Sequence, residues 1–415
     1  MKVLLSAIAC HPNLGSEAKV GWDAAIAVSE QNECHVIAHV GARKAIELKQ
    51  AEGIGTQIRF HYFGNEFTWH PSRLIARIQS WLIFRKWQAR LLPFASALHR
   101  QHQFDVSHHA TYVTWRVASP LWQMPLPFVW GPIGGTSSLP STFFGILSTP
   151  AKLFEISRQV SGLIESRSKA FLNCVTKSSV VVAANEETVA FLRQFRTTDP
   201  IARLSPVFFD AQRVAVLRDY PRRPSMPRRP LRLFAGGSLE GRKGVALALE
   251  VIAELKLRGV GVTYTFGGHG PELHSLHALA RRLGIHDRVE FHQGLQGEDY
   301  VRCLKESDVY FLPSFRETTP ITLLEAALAG CYLVVADNSG AGEIVRRIGG
   351  TAVPAHDRAQ IVSQLADTLQ LCDSHREYCV SAGSDISAKA AEEFGRAKYV
   401  QRINEIYTEA TRTKL

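Results

Sequence analysis

Two glutamates eight positions apart, Glu317 and Glu325, flank a predicted helix start. Thr319 is placed to cap that helix, and Pro320 occupies its first position, where a missing N–H costs little. Backbone N–H groups at a helix start attract phosphate, and carboxylates accept hydrogen bonds from sugar hydroxyls. The pattern favours a site for a nucleotide-sugar, with an ordinary surface loop and helix as the alternative.

Two adjacent cations, Arg242 and Lys243, stand in the glycine-containing loop 237–244, between a predicted strand and a predicted helix. Glycines allow close backbone approach, and two cations at a helix start can clamp a diphosphate. A basic turn with a purely structural role is the alternative. A second glycine run, Gly267-Gly268-His269-Gly270, follows the next predicted strand. We expect the two cations and the two glutamates to belong to one ligand site within the same domain.

A histidine pair, His108 and His109, ends a predicted strand and therefore lies at the sheet edge where open α/β folds bind ligands. A histidine there can accept a proton, donate a hydrogen bond to substrate, or pack inertly. The residues do not decide which of the two histidines is functional. Gly15, between the first strand and the first helix, stands where doubly wound folds bind phosphate, and a simple turn is the alternative.

These residues need a framework of alternating strands and helices. Continuous apolar runs such as Val3 to Ala9 predict strands buried on both faces of a parallel sheet covered by helices. With 415 residues, two such domains are expected. We predict a first Rossmann-like domain over 1–205, a proline- and arginine-rich linker over 206–230, a second domain over 231–387, and a closing helix in 388–415 that packs back on the first domain.

Composition narrows the function classes. The chain has 48 Lys and Arg against 38 Asp and Glu, a formal charge of +10, which predicts attraction to anions. The basic run 222–229 of that linker has no interleaved aromatics and no known binding motif, so we expect no nucleic-acid binding. Seven cysteines without a Cys-x-x-Cys pair predict neither a metal cluster nor a disulfide framework, and favour a reducing cytoplasm. No apolar run is long enough for a transmembrane helix, and the apolar N-terminus is predicted to be a strand rather than a signal peptide.

One segment, Ser72 to Arg100, mixes aromatic and basic residues and contains no acid. Trp81, Phe84 and Trp87 alternate there with Arg73, Arg77, Arg85, Lys86 and Arg90. A basic amphipathic helix with aromatic anchors favours contact with an anionic membrane. The alternative is a helix packed in the core whose arginines are merely solvated. A second amphipathic stretch, Phe143 to Leu172, is expected to cover the same side of the molecule.

Taken together, the second half resembles the retaining glycosyltransferases of family 4, whose fold is GT-B. The resemblance rests on about a hundred residues that carry, in order, the loop Gly236 to Gly244 with Arg242-Lys243, the run Gly267 to Glu272, Glu317 and Glu325 within PSFRETTPITLLEAALAG, and Glu343. The first half matches more loosely, through the Gly15-Ser16-Glu17 loop and the run Trp130 to Gly135, and is similar to members of polysaccharide and lipopolysaccharide biosynthesis. The resemblance implies an α/β protein with two Rossmann-like parallel-sheet domains facing a central cleft, the first binding the acceptor and the second the donor.

The resemblance also implies roles for individual residues. Arg242 and Lys243 would bind the donor diphosphate, Glu317 would face the transferred sugar, and Glu325 would accept hydrogen bonds from the ribose. The remaining donor-binding positions that it implies are Gly15, Ser238, Gly268, Thr319, Pro320 and Ile321. The chain departs from the family at three positions: Ser238 replaces an arginine, Thr318-Thr319 replaces a glycine-aromatic pair, and no histidine follows Trp130-Gly131-Pro132. His109 is therefore the predicted third catalytic residue, beside Glu317 and Lys243.

The expected activity is retaining transfer of a hexose-type sugar from a nucleotide-diphosphate sugar to a lipid-linked or cell-surface polysaccharide acceptor. No Asp-x-Asp motif occurs, so we expect no metal in the reaction, and no cofactor besides the donor substrate. The expected location is the cytoplasm, with peripheral contact to the inner face of the cell membrane left open. Two alternatives remain, namely another GT-B enzyme (a synthase with a soluble acceptor, or a nucleotide-sugar epimerase) and a non-catalytic basic binding protein on this fold.

Overall fold

The computed structural model describes residues 1–65, 73–220 and 229–412, without the side chains of residues 73–78. The side chains of Arg73 and Arg77, and most of the basic part of the predicted linker, lie outside the described residues.

Thirteen strands in the described ranges form two sheets in which every pairing is parallel. The seven-stranded sheet has the order β3-β2-β1-β4-β5-β6-β7, and the six-stranded sheet has the order β10-β9-β8-β11-β12-β13. The prediction of two Rossmann-like parallel sheets is confirmed. The strands are β1 (Lys2–Ala7), β2 (Glu33–His39), β3 (Arg59–Phe63), β4 (Val106–Thr111), β5 (Phe128–Ile133), β6 (Val180–Ala183), β7 (Ile201–Arg203), β8 (Leu231–Gly236), β9 (Val262–Gly267), β10 (Val289–His292), β11 (Val309–Leu312), β12 (Tyr332–Asp337) and β13 (Thr351–Pro354).

Helices connect the parallel strands, as the crossover geometry of such sheets requires. They are α1 (Glu17–Val28), α2 (Arg43–Ala51), α3 (Arg73–His102), α4 (Thr149–Glu165), α5 (Lys169–Lys177), α6 (Glu186–Arg193), α7 (Ala211–Asp219), α8 (Val245–Leu257), α9 (Leu273–Arg282), α10 (Gly297–Glu306), α11 (Ile321–Leu328), α12 (Gly340–Ile348), α13 (Arg358–Ser374), α14 (Arg376–Glu393) and α15 (Arg396–Arg412). Short 3₁₀ turns occupy Val40–Ala42, Pro120–Gln123, Ser141–Ile146 and Gly241–Lys243. Within the described ranges, none of these helices combines the length and apolar content needed to span a bilayer.

The chain divides into two compact units. The first comprises Met1–Thr136, Val160–Phe208 and Arg396–Leu415, and the second comprises Ser137–Gln159 and Phe209–Gly395. Residues 137–159 lie inside the predicted first domain but make their contacts in the second unit. The predicted linker contains a helix, α7. The closing helix expected from Ala388 onward is broken near Gly395 into α14 and α15, and α15 packs on α1 and on strands β4, β5 and β6.

Both faces of the first sheet are covered by apolar side chains. One core joins α1 and α15 to the sheet, and the other joins α3 and α5 to it. Phe84 and Trp87 of α3 are 3% and 4% exposed in the second of these cores, so they are not the membrane anchors that the sequence suggested. Burying each of these side chains contributes on the order of 2–3 kcal/mol to folding. Trp81 is 47% exposed.

In each sheet, the chain adds strands first on one side of its starting strand and then on the other side. In the first sheet this switch point lies between β1 and β4, and in the second it lies between β8 and β11. At such a point the loops that follow the two adjacent strands run in opposite directions. This opens a crevice at the carboxyl ends of those strands, where such sheets bind ligands. The loops after β8 and β11 are therefore the first place to look for a site.

Candidate functional site

The loops after β8 and β11 are in backbone contact. Gly244 has φ +66°, and a Cβ atom there would lie 2.0 Å from the carbonyl oxygen of Pro313. The carbonyl of Arg242 accepts a hydrogen bond from the N–H of Phe315 (2.9 Å), and its oxygen lies 2.9 Å from Ser314 Oγ. Only glycine combines this conformation with this approach at position 244. The contact fixes Arg242 and Lys243 beside the loop that carries Glu317.

Lys243 and Glu317 form a buried ion pair. The Lys243 Nζ lies 2.6 Å from Glu317 Oε1, and the side chains are 9% and 7% exposed. Ser314 donates its hydroxyl to the same oxygen at 2.9 Å, and Arg242 Nη1 lies 3.6 Å from it. The structure therefore brings together the two cations and the first glutamate that the sequence singled out.

Burial opposes the charged form of Glu317, but Lys243 and Arg242, with the Ser314 hydroxyl, lower its pKa below the ordinary value. Burial also opposes the charged form of Arg242, whose pKa is nevertheless raised by Glu317 and Glu240. Both groups are thus charged at neutral pH. A glutamate held in its ionised form can accept hydrogen bonds from sugar hydroxyls, but it has no proton to donate.

The loop carrying Glu317 is held from its other side by the turn after β12. The Gly340 N–H donates to the Glu317 carbonyl at 2.9 Å, and Asn338 Nδ2 donates to the Phe315 carbonyl at 2.9 Å. A Cβ atom on Gly340 would lie 2.1 Å from the carbonyl oxygen of Thr318, so no larger residue fits there without movement. Glu317 is therefore set on a loop with fixed backbone partners on both flanks.

Helix α11 starts later than predicted. Its first residue is Ile321 and its N-cap is Pro320, so Thr319 is not the cap. In the described part of the chain no side chain caps this helix start. Thr322 instead uses its hydroxyl to donate to the Gly236 carbonyl (3.1 Å) and to contact the Tyr310 hydroxyl (2.9 Å), which ties α11 to the end of β8. The uncapped N–H groups at the start of α11 are suited to an oxygen-rich ligand.

Glu325 has protein partners at both carboxylate oxygens. Arg213 contacts Oε1 through Nη2 (2.5 Å) and Nε (3.2 Å), and Tyr300 donates its hydroxyl to Oε2 at 2.7 Å. The side chain of Arg213 is 34% exposed, whereas that of Glu325 is 12% exposed. Sequence reasoning missed both partners, because Arg213 stands in the predicted linker and Tyr300 on a helix without a motif. A ribose hydroxyl would have to share Glu325 with them.

The glycine turns after β8 and β9 also meet. Gly268 has φ +154°, and a Cβ atom there would lie 1.8 Å from the Gly237 carbonyl oxygen. Ser238, at the position where the family has an arginine, is half-buried, and its carbonyl accepts the Glu240 N–H at 2.9 Å.

A second ion-pair group next to Glu317 was not foreseen from the sequence. Arg316 forms a bidentate pair with Glu155, with Nη2–Oε1 at 2.9 Å and Nη1–Oε2 at 3.1 Å, and Arg158 Nε lies 3.1 Å from Glu155 Oε2. Burial and the nearby charge of Arg158 lower the pKa of Arg316 to about 10. Glu155 belongs to the segment Ser137–Gln159, which also brings Leu147 close to Gly241. The only signal in the sequence was the position of Arg316 directly before Glu317.

The histidine pair lies in the interior of the first unit. Nδ1 of His108 lies 2.7 Å from the Tyr407 hydroxyl and its Nε2 lies 2.5 Å from the Gly131 carbonyl oxygen. His109 Nδ1 lies 3.4 Å from Ser6 Oγ and 3.3 Å from Gln88 Nε2, and its Nε2 has no hydrogen-bond partner among the described residues. Burial lowers the pKa of His108 to about 4 and that of His109 to about 3.

Direct contact of His109 with an acceptor would require its 1% exposed side chain to become accessible. Its catalytic role therefore stays a prediction. Gly15, also in the first unit, is exposed, and a Cβ atom there would meet nothing within 4 Å. Neither space nor backbone conformation demands glycine at position 15, so its predicted role in donor binding is likewise untested.

The family comparison falls on the part of the chain that carries the Lys243–Glu317 pair. Residues 220–385 match the family described as glycosyl transferases group 1. This part of the chain is similar to a group 1 glycosyl transferase domain. Lys243, Glu317 and Glu325 lie within the group 1 domain, whereas Arg213 and Glu155 reach it from outside its matched range.

Among curated relatives, the chain is 29% identical to WcaL of Escherichia coli K12, named for colanic acid biosynthesis, over 54% of this chain and 59% of that protein. It is 28% identical to the amylovoran biosynthesis glycosyltransferase AmsK of Erwinia amylovora over 33% of this chain and 35% of that protein. The chain thus spans between a third and three fifths of the length of these relatives.

Among solved structures, sucrose-phosphate synthase from Thermosynechococcus elongatus superposes with a TM-score of 0.64 at 13% identity, covering 98% of both chains. Alr3699/HepE from Anabaena, solved in complex with UDP, gives a TM-score of 0.61 at 16% identity, covering 98% of this chain and 100% of that one. At such identities the likeness concerns the fold. The group 1 domain and the first sheet together make the GT-B fold.

Proposed function

We propose that this protein is a retaining family 4 glycosyltransferase that moves a hexose-type sugar from a nucleotide-diphosphate sugar without a metal ion. The observation that carries the proposal is the buried Lys243–Glu317 pair, with Arg242 beside it, at the switch point of the second sheet. It places two cations and one ionised carboxylate where such sheets bind ligands, inside a group 1 domain.

The cations account for the leaving group. Breaking the bond between the sugar C1 and the phosphate oxygen leaves the negative charge on the diphosphate, which must be stabilised as it develops. Arg242 and Lys243 supply that stabilisation from fixed positions, because the Arg242 carbonyl is held by Ser314 and Phe315. The diphosphate would take over part of the interaction that Lys243 makes with Glu317 in the ligand-free site. In the proposed reaction the side chains of Arg242 and Lys243 supply the positive charge that a metal ion would otherwise provide.

The carboxylate accounts for the sugar. Once Lys243 contacts the diphosphate, Glu317 Oε1 is available to hydroxyls of the transferred sugar, with Ser314 keeping it oriented at 2.9 Å. The uncapped first turn of α11, which follows Pro320 and begins at Ile321, offers backbone N–H groups that suit sugar or phosphate oxygens. Glu325 would accept the ribose hydroxyls from Oε1 or Oε2 while Arg213 and Tyr300 hold its side chain.

The acceptor is proposed to be a lipid-linked or cell-surface polysaccharide intermediate. The relatives are named for colanic acid and amylovoran biosynthesis, and one structure with a TM-score of 0.57 is WaaG, described as involved in lipopolysaccharide biosynthesis. An acceptor of this kind would be reached at the cytoplasmic face of the membrane.

One surface of the first unit supports membrane contact. On α3, Trp81 and Leu82 are 47% and 44% exposed, and the Arg85 guanidinium stacks on the Trp81 ring at 4.8 Å. Arg85 also pairs with Glu165 at 2.7 Å, which places the exposed apolar residues Leu163 and Ile164 of α4 nearby. Lys86 and Arg90 are exposed on the same helix as Trp81. Exposed aromatic and aliphatic side chains among cations suit an anionic lipid surface.

Membrane contact is tested by sedimentation with vesicles that contain anionic lipid, at physiological salt. The chain should co-sediment, and the variant with Trp81→Ala and Leu82→Ser should remain in the supernatant. The variant Tyr378→Ala removes an exposed aromatic residue from the second unit and serves as the control. Equal sedimentation of all three proteins would contradict contact through this surface.

The activity is tested by thermal shift and by product release. UDP, GDP and ADP are screened first, since the nucleotide that binds stabilises the fold in proportion to its excess over the dissociation constant. The shift should disappear in Lys243→Ala and persist in Arg282→Ala, which removes an exposed cation of the same domain. Nucleotide release only in the presence of an acceptor would separate transfer from epimerisation. A nucleotide shift that is unchanged in Lys243→Ala would overturn the site assignment.

A further inference from the structure

Three histidines meet at the amino-terminal edge of the first sheet. His35 comes from β2, His61 from the neighbouring edge strand β3, and His102 from the last residue of α3. His35 Nδ1 lies 3.0 Å from His61 Nε2, and one ring nitrogen from each of the three residues lies within 4.8 Å of the other two. His35 is buried, and the other two are half-buried.

We propose that His35, His61 and His102 form a binding site for a divalent transition-metal ion, with zinc as the best match. Three imidazoles are a ligand set that suits zinc and its neighbours, and a water molecule can complete the tetrahedron. Two ligand nitrogens of a tetrahedral zinc site lie about 3.3 Å apart, given Zn–N bonds of about 2.0–2.1 Å. The His35–His61 separation of 3.0 Å is close to this value, and a ring nitrogen of His102 lies within 4.8 Å of both.

The surroundings of His35 supply the outer partner that metal-binding histidines use. Its second ring nitrogen, Nε2, lies 3.2 Å from Glu33 Oε1. A carboxylate in this position holds the proton on Nε2, so Nδ1 presents its lone pair toward His61 and His102. Histidine binds a metal in its neutral form, through the lone pair of an unprotonated ring nitrogen.

Two cations near the cluster repel a bound divalent metal ion and therefore limit the affinity of the site for it. Arg59 Nη1 lies 3.5 Å from Glu33 Oε1, and Lys2 Nζ lies 3.8 Å from Glu33 Oε2. Both contacts run through Glu33, which offsets part of their charge, and the Arg59 side chain is 62% exposed and hence screened by water. Phe104 closes the cluster, with its ring edge-on to His35 at 5.0 Å.

The position of the cluster indicates a structural role. It joins β2, the edge strand β3 and the end of α3 at the edge of the sheet opposite to the carboxyl ends of the strands. A metal there would hold the edge strand in place, and none of its ligands is a residue proposed to bind the donor. The inference is therefore independent of the proposed transfer reaction.

The test uses the full chain without a histidine tag, stripped with a chelator and dialysed. Titration with Zn²⁺ should give one strong site per chain and raise the melting temperature, and Co²⁺ should give the visible absorption of a four-coordinate nitrogen site. His61→Ala and His102→Ala should each lose the strong site, and Glu33→Gln should weaken zinc binding about 10- to 100-fold. His356→Ala, which removes an exposed histidine from the second unit, should bind zinc as the parent does.

Arg59→Gln offers a change in the opposite direction, because it removes a cation from the cluster without touching a ligand. It should tighten zinc binding several-fold. Melting curves in chelator show whether each variant is folded, and His102→Ala and Glu33→Gln keep the test valid if His61→Ala fails to fold. Absence of a strong site in the parent chain, or a site unchanged in His61→Ala and His102→Ala, would reduce the cluster to a stack of packed rings and overturn the proposal.

Discussion

The two sheets share one topology around their switch points but place opposite kinds of side chain there. In the second unit the loops after β8 and β11 hold ionised groups, with Lys243 and Glu317 2.6 Å apart. In the first unit the end of β4 holds neutral histidines, and His109 contacts Ser6 and Gln88. Glu17 accepts the N–H of Val113, two residues after the end of β4, at 3.2 Å, and burial raises its pKa to about 7.

The proposed function accounts for this difference, because it assigns a different ligand class to each switch point. A diphosphate requires fixed cations, and cations that are buried require carboxylates to neutralise them before the ligand arrives. An uncharged hydroxyl acceptor requires neither, so polar but neutral groups suffice. The comparison therefore predicts large effects when charge or backbone contact is changed at the second switch point and smaller effects at the first.

The largest effect is expected from breaking the buried ion pair on one side only. Lys243→Met leaves the buried Glu317 with only Arg242 at 3.6 Å as a cation, and should reduce the free energy of unfolding by about 3 kcal/mol. Adding Glu317→Gln in the same chain should recover most of that loss, because the uncompensated charge is removed. Urea denaturation of the single and double variants measures this. Nucleotide binding should be absent from both, so a double variant that regains binding would contradict the role of Lys243.

The next effect concerns the glycine that lets the two loops meet. Gly244→Ala places a methyl group against the Pro313 carbonyl at a left-handed φ of +66°, and should destabilise the chain by about 2–4 kcal/mol. Gly15→Ala is the matched variant in the first unit, where a Cβ atom meets nothing within 4 Å. It should change the melting temperature very little. Comparable losses for both glycines would remove the distinction drawn between the two switch points.

A smaller effect is expected from the titration of Glu17. Its pKa of about 7 in the folded chain lies above the ordinary 4.5, so the folded state binds more protons than the unfolded state between these values. The free energy of unfolding should therefore fall by about 1–2 kcal/mol, for a half-buried carboxyl, as the pH rises from about 4.5 to 7. Above pH 7 it should level off. Glu17→Gln should remove this part of the pH dependence. Thermal melts at pH 5 and pH 8 measure it, and an identical pH dependence in the variant would exclude the assignment.

The fold could be predicted because it depends on local apolar periodicity, as in Val180–Ala183, which is a four-residue strand buried throughout. The meeting of Lys243 and Glu317 was also foreseen, since both lie at the ends of strands that flank the reversal of a doubly wound sheet. Arg213 was not, because it lies 112 positions from Glu325 in a segment whose composition indicated a linker. The burial of His109 and Trp87 was not foreseen either, because it depends on which face of their strand or helix meets the core. The sequence of a helix that is apolar on several sides does not reveal that face.

The smallest effect is expected at Glu325, where the protein competes with the proposed ligand. Tyr300→Phe removes the hydroxyl that donates to Oε2 at 2.7 Å, while Arg213 keeps its contact with Oε1. The free energy of unfolding should fall by about 1 kcal/mol, the typical net contribution of one hydrogen bond. The donor KM should stay equal or decrease, because Oε2 no longer needs to exchange Tyr300 for a ribose hydroxyl. A donor KM that rises in step with the loss of stability would instead show that Tyr300 positions Glu325 for the nucleotide, and would make this pair part of the binding arrangement rather than its competitor.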